Sequence, residues 1–154
     1  MQPALIFFHS LIKWLLLAGL ICSIYRAYRG WKLGLVFSKA DNAVRHWTAT
    51  IAHIQLVIGI LLYTQSPVTS YFWKNFKENT HEPQALFFGM VHIALMLTAI
   101  VLLTIGSSLA KRRSTDKEKF KTMLAYFLIA LFIIFIAIPW PFSPLAQRPY
   151  FRTF

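Results

Sequence analysis

The chain of 154 residues is 57% hydrophobic and only 14% charged, whereas soluble domains are about 45–50% apolar and about 25% charged. This composition excludes an ordinary soluble domain, and the high hydrophobicity also excludes a disordered chain. The single cysteine, Cys22, excludes a disulfide scaffold, and the net charge of +11 makes the placement of the basic residues informative.

Four stretches approach the length of about 20 apolar residues that a membrane-crossing helix needs. In chain order they cover about residues 4–25, 46–64, 86–108 and 122–140. The connection between the second and third is the longest, and we expect a short interfacial helix near Ser70–Asn79. Pro139 ends the last helix because proline has no backbone N–H. The sequence predicts a single all-α membrane domain, an antiparallel four-helix bundle with up-down-up-down connections.

The basic residues are distributed unevenly among the connections. Eleven lie in the first and third connections, and four lie in the second connection and the C-terminal tail. The eleven are Arg26, Arg29, Lys32, Lys39, Arg45, Lys111, Arg112, Arg113, Lys117, Lys119 and Lys121. The positive-inside rule then places both termini outside, in the periplasm if the chain is a multi-pass protein of a bacterial inner membrane. Short connections between spans offer no groove-reading element, so nucleic acid is not an expected partner.

Ionisable residues inside membrane spans are costly and usually functional. His9 lies about 8 Å and His92 about 9 Å from the outer ends of the first and third spans. These two helices are diagonal in an up-down-up-down bundle, so we expect the two imidazoles to face each other at one level. Such an arrangement suits the two axial ligands of a haem iron.

Two further histidines lie on the second span. His53 is about 16 Å deep and gives the second-ranked axial pair, His53 with His92. His46 lies at the cytoplasmic edge, so it is less suited to bind metal, and we expect it to be an interfacial residue. One haem per chain is the simplest count, although the sequence also allows two.

Lys13 lies one helical turn from His9 and shares its face. A lysine near the bilayer centre costs about 2.5–3.5 kcal/mol on insertion scales, yet no span contains an acidic residue. A haem propionate or another anionic ligand could compensate this charge. The alternative is that Lys13 extends its ammonium group toward the interface.

Three motifs resemble one family. They are Phe7-Phe8-His9-Ser10, the stretch from Arg45 to Leu56 followed by Gly59 and Tyr63, and Pro139-Trp140-Pro141-Phe142. Over nearly the whole chain the sequence resembles small bacterial four-span proteins labelled "cytochrome B", and more broadly b561-type membrane cytochromes. The resemblance implies haem b held by His9, His53 and His92, and electron transfer from quinol to another carrier, here a periplasmic one. The chain departs from that family in having no histidine in its fourth span.

Two other functions are alternatives to a haem-binding component of electron transfer. The first is a copper protein with His9, His53 and His92 as ligands, because imidazole suits copper. The second is an accessory subunit without a cofactor, in which the histidines bond neighbouring helices, other membrane subunits or a second copy. A transporter is not expected, because the chain shows no inverted repeat and no acidic relay.

Overall fold

The computed structural model describes residues 2–144 and 146–150, with Asn79 described by its backbone alone. These residues form helices and connections and contain no β-strand. The helices are α1 (Gln2–Leu33), α2 (Lys39–Gln65), α3 (Pro67–Lys74), α4 (Phe76–Asn79), α5 (Pro83–Leu86), α6 (His92–Arg112) and α7 (Asp116–Ala137), with a π-helical turn at Phe87–Val91. Four segments are long and apolar enough to cross a membrane: α1, α2, Pro83–Arg112 and α7. The chain is therefore a multi-pass helical membrane protein.

The four long helices pack around a square. Helix α1 contacts α2 and α7, and α6 contacts the same two helices. Helices α1 and α6 consequently lie on a diagonal, as expected from the sequence. The side chain of Gln2, at the start of α1, donates a hydrogen bond to the carbonyl of Gln65, at the end of α2 (3.1 Å).

One end of the bundle, which we call the basic end, contains the connections 34–38 and 113–115. Here α1 and α2 extend beyond the predicted apolar spans, because Gly34 (φ 63°) ends α1 and a capping box between Ser38 and Asp41 begins α2. A second capping box, between Thr115 and Glu118, begins α7. These caps satisfy backbone N–H groups that have no partner within the helix. Helical structure therefore continues past the apolar residues at this end.

The opposite end, which we call the histidine end, contains the N-terminus and the long connection 66–91. The interfacial helix expected near 70–79 is present as α3 and α4, and it begins earlier because Ser66 caps α3 and Pro67 occupies its first turn. The side chain of Phe72 packs against Gly89, where an added Cβ would lie 2.4 Å from its ring. Helix α7 ends at Ala137, with Ile138 extended before Pro139.

The buried core is concentrated toward the basic end. The buried residues of α1 lie between Leu16 and Gly30, those of α2 between Asp41 and Gln55, and those of α6 between Ala99 and Ala110. Toward the histidine end, α7 continues the core through Ile134 and Ala137, and Ile138 and Trp140 follow it. Phe72 and Phe87 are buried in the connection 66–91. The outer segments of three long helices thus contribute no buried side chain to the bundle core, although they are apolar.

Candidate functional site

His92 follows the π-helical turn and is anchored by α7. Its Nδ1 lies 2.8 Å from the carbonyl oxygen of Ala137, near the end of that helix. A carbonyl can only accept, so Nδ1 carries the proton and donates. This bond fixes the orientation and tautomer of the ring and leaves Nε2 as the basic nitrogen, the arrangement usual for metal-binding histidines.

His9 projects from α1 toward α2. Its ring contacts Gly59, where an added Cβ would lie 3.3 Å from Cε1. Its backbone carbonyl accepts a hydrogen bond from Nε2 of Gln55 (2.9 Å). Among the described residues, Nδ1 of His9 and Oε1 of Gln55 are buried without a hydrogen-bond partner. A buried polar atom without a partner is uncommon, and such atoms are frequent at functional sites.

The contacts along α2 show that His9 and His92 lie at nearly the same level of the bundle. His9 is beside Gly59, whereas the Tyr63 hydroxyl donates to the carbonyl of Gly89 (2.6 Å). His92 lies three residues after Gly89 and about 4.5 Å along the helix toward the basic end, which brings it level with Gly59. The two imidazoles are also close enough to interact electrostatically.

Lys13 has a different environment from the one expected. Its ammonium group donates to the carbonyl oxygen of Tyr150 (3.1 Å). It also lies 5.1 Å from the ring centroid of Trp14 and 5.8 Å from that of Trp140, within the range of cation–π attraction. The C-terminal segment and two indole rings thus stabilise the charge of Lys13, and its role beside an anionic ligand stays a prediction.

His53 is not part of the same cluster. Its Nε2 lies 3.0 Å from Oγ1 of Thr104, and that hydroxyl already donates to the carbonyl of Ile100 (2.7 Å), so His53 must be the donor. Thr104 is twelve residues after His92, about 18 Å along α6. His53 and His92 consequently do not form the alternative axial pair. His46 lines the same surface groove as His53, toward the basic end.

The residues present fit a two-histidine ligand set better than a three-histidine set. His9 and His92 share a level, and each offers a nitrogen free of hydrogen bonds to the described residues. In contrast, the described part of the chain contains no group of three or more His, Cys, Asp or Glu side chains placed to share a metal ion. The structure therefore does not bring His9, His53 and His92 together, and the copper site stays a prediction.

Sequence reasoning identified His9 and His92 but missed their supporting groups. Gln55 lies 46 residues from His9 in the chain, and this spacing gives no sign of their contact. The anchors at Ala137 and Tyr150 are backbone carbonyls, which carry no sequence signal. The π-helical turn before His92 also has no reliable pattern in the sequence.

No protein-family model matches the chain, and no match was found among curated proteins or solved structures.

Proposed function

We propose that this membrane protein binds haem b between His9 and His92 and acts as an electron-transfer component, with quinol as donor and a periplasmic carrier as acceptor. The observation that carries the proposal is the buried Nδ1 of His9, which has no partner among the described residues and lies level with the anchored imidazole of His92. The sequence resemblance to four-span "cytochrome B" proteins supports the same function.

The chain's own residues would prepare this site in three ways. The Ala137 carbonyl accepts the Nδ1–H of His92, which increases the basicity of Nε2. Gln55 holds the backbone of His9 against α2. The outer segments of α1, α2 and α6 have no buried core residues, so they can adjust around a flat ligand at a smaller packing cost than the basic end. When bound, haem would supply one-electron chemistry tuned by these ligands.

For the topology, we propose an antiparallel up-down-up-down bundle in a bacterial inner membrane, with both termini in the periplasm. Two hydrogen bonds support the antiparallel arrangement. Arg45 bonds Ser107, and Tyr63, further along α2, bonds Gly89. Residue numbers therefore rise along α2 in the direction in which they fall along Pro83–Arg112. The excess of basic residues at the basic end supports a cytoplasmic location of that end. The C-terminal tail contains two basic residues, Arg148 and Arg152, and Arg152 lies outside the described residues.

The test is the visible spectrum of the detergent-purified protein from haem-replete cells, oxidised and reduced with dithionite, with haem quantified per chain. We expect sharp bands of a low-spin b-type haem at one haem per chain. His9→Ala and His92→Ala should each lose these bands, whereas His53→Ala, which removes a histidine outside the pair, should retain them. A colourless wild-type protein, or loss of haem in His53→Ala alone, would contradict the proposal.

A second candidate is a cofactor-free accessory subunit. The observation that favours it is the environment of Lys13, whose charge is stabilised by Tyr150 and aromatic rings without any ligand. On this hypothesis, a partner helix covers exposed apolar residues of the histidine end, such as Phe8 and Leu61. The purified protein would then be colourless, and replacing His9 and His92 together would alter assembly with other membrane subunits but not absorbance.

A further inference from the structure

A polar groove lies on the surface between α2 and α6, toward the basic end and away from His9 and His92. It has a volume of about 250 Å³ and is lined only by residues of these two helices. His53 and Thr104 form its deep end, and Arg45 and Lys111 lie at its other end, about 12 Å away along α2. The groove thus extends from the basic end into the apolar length of the helices.

The groove carries positive charge that the described residues do not neutralise. Its charged or titratable lining groups are Arg45, Lys111, His46 and His53, and none of its lining residues is acidic. The guanidinium of Arg45 is buried, and it donates to the carbonyl oxygen (2.8 Å) and to Oγ of Ser107, and from Nε (3.3 Å) and Nη2 (2.8 Å) to Oδ1 of Asn42. These neutral acceptors orient the cation without compensating its charge.

The acidic residues of the chain are engaged or located elsewhere. Asp41 pairs with Arg26 (2.8 Å), and Asp116 pairs with Lys119 (3.1 Å). Glu118 belongs to the capping box of α7, and the other two, Glu78 and Glu82, lie in the connection 66–91 at the histidine end. No carboxylate within the described part of the chain therefore lines the groove.

The surroundings of the groove are apolar and exposed. Val57 on α2 and Val101 on α6 are 57% and 54% exposed, and Ile54 and Ile105 extend the same surfaces. A ligand that fits both parts has an anionic head, for the cations and hydroxyl groups, and long apolar chains, for the flanking helices. Arg45 contributes its positive charge to the site for this head group, and the exposed ammonium group of Lys111 offers donors to phosphate oxygens.

From this charge complementarity we propose that the groove binds an anionic phospholipid, with the phosphate between Arg45 and Lys111 and the acyl chains along the exposed faces of α2 and α6. Basic pockets between membrane helices are known to hold anionic lipid head groups. His53 and Thr104 supply further donors or acceptors for the glycerol part of the lipid. This inference is independent of the haem proposal, since it uses neither His9 nor His92.

The test uses the full chain in neutral detergent, with native mass spectrometry to count lipids bound during titration with phosphatidylglycerol or with phosphatidylcholine of the same acyl chains. We expect one retained phosphatidylglycerol, bound at least tenfold more tightly than phosphatidylcholine. Lys111→Gln should weaken phosphatidylglycerol binding about fivefold, as expected for loss of one basic residue near a lipid head group.

Two matched controls and one competitor locate the site. Lys77→Gln removes the same charge from α4 at the histidine end, outside the groove lining, and Lys121→Gln removes it from the first turns of α7; neither should change the affinity. Inorganic phosphate at millimolar concentration should not displace the lipid. Equal binding of the two lipids, an equal effect of Lys77→Gln and Lys111→Gln, or complete displacement by phosphate would overturn the proposal.

Discussion

The two ends of the bundle are held together by different kinds of contact. At the basic end, capping boxes begin two helices, Arg26 pairs with Asp41, and glycine allows the helices to approach each other closely. At the histidine end, α1, α2 and α6 have no buried residues, and polar groups such as Tyr63 hold the connection 66–91 in place. At the histidine end the buried side chains, such as Phe72 and Phe87, belong to the connection 66–91 and not to α1, α2 or α6. We therefore expect substitutions in the long helices to cost more stability at the basic end than at the histidine end.

The largest expected effect comes from replacing glycine at the tightly packed contact between α6 and α7. In Gly106→Ala the new Cβ would lie 2.1 Å from Cβ of Tyr126, an atom next to the backbone that cannot move aside. The two helices must separate, and we expect the free energy of unfolding to fall by about 1–3 kcal/mol. Thermal or denaturant unfolding in detergent measures this change.

The matched control is Gly59→Ala at the histidine end. Its Cβ would meet only the ring edge of His9, at 3.3 Å, and alanine also favours the helix by about 1 kcal/mol relative to glycine. We expect stability within about 0.5 kcal/mol of the wild type, since these effects largely offset each other. A larger loss of unfolding free energy in Gly59→Ala than in Gly106→Ala would contradict the expected difference in stability between the two ends.

A smaller effect is expected from removing helix caps. Ser38→Ala deletes the hydroxyl that accepts from the Asp41 backbone N–H, and we expect a loss of about 1 kcal/mol. Ser66→Ala removes the corresponding cap of α3 at the histidine end. Because α3 is short and peripheral to the bundle, its loss should leave the global unfolding transition nearly unchanged. Equal effects of the two variants on unfolding would argue against a stability difference between the ends.

An effect of about the same size as that of Ser38→Ala is expected at the two hydrogen bonds by which Tyr63 holds the connection 66–91. Tyr63→Phe removes both the donor to the Gly89 carbonyl (2.6 Å) and the acceptor for the Trp73 indole N–H (2.7 Å). We expect a loss of about 0.5–1.5 kcal/mol, together with faster amide exchange in α3 and in the π-helical turn. Unchanged exchange in both segments would show that this pair does not hold the connection.

The sequence predicted the four spans, the interfacial helix and the diagonal placement of α1 and α6 because hydrophobic length and short connections determine these features. It also singled out His9 and His92, since ionisable residues stand out in apolar spans. It could not predict that His53 bonds Thr104 or that Lys13 meets the carbonyl of Tyr150. Those contacts depend on helix rotation and on the path of the tail, and neither leaves a periodic pattern.

The most direct test of the difference between the two ends is amide hydrogen exchange of the detergent-purified protein, with and without added hemin. We expect faster exchange in residues 2–14, 56–65 and 92–98 than in residues 16–30, 41–55 and 99–110. Added hemin should slow exchange only in the first group. Uniform exchange along the helices, or protection by hemin at the basic end, would contradict this expectation.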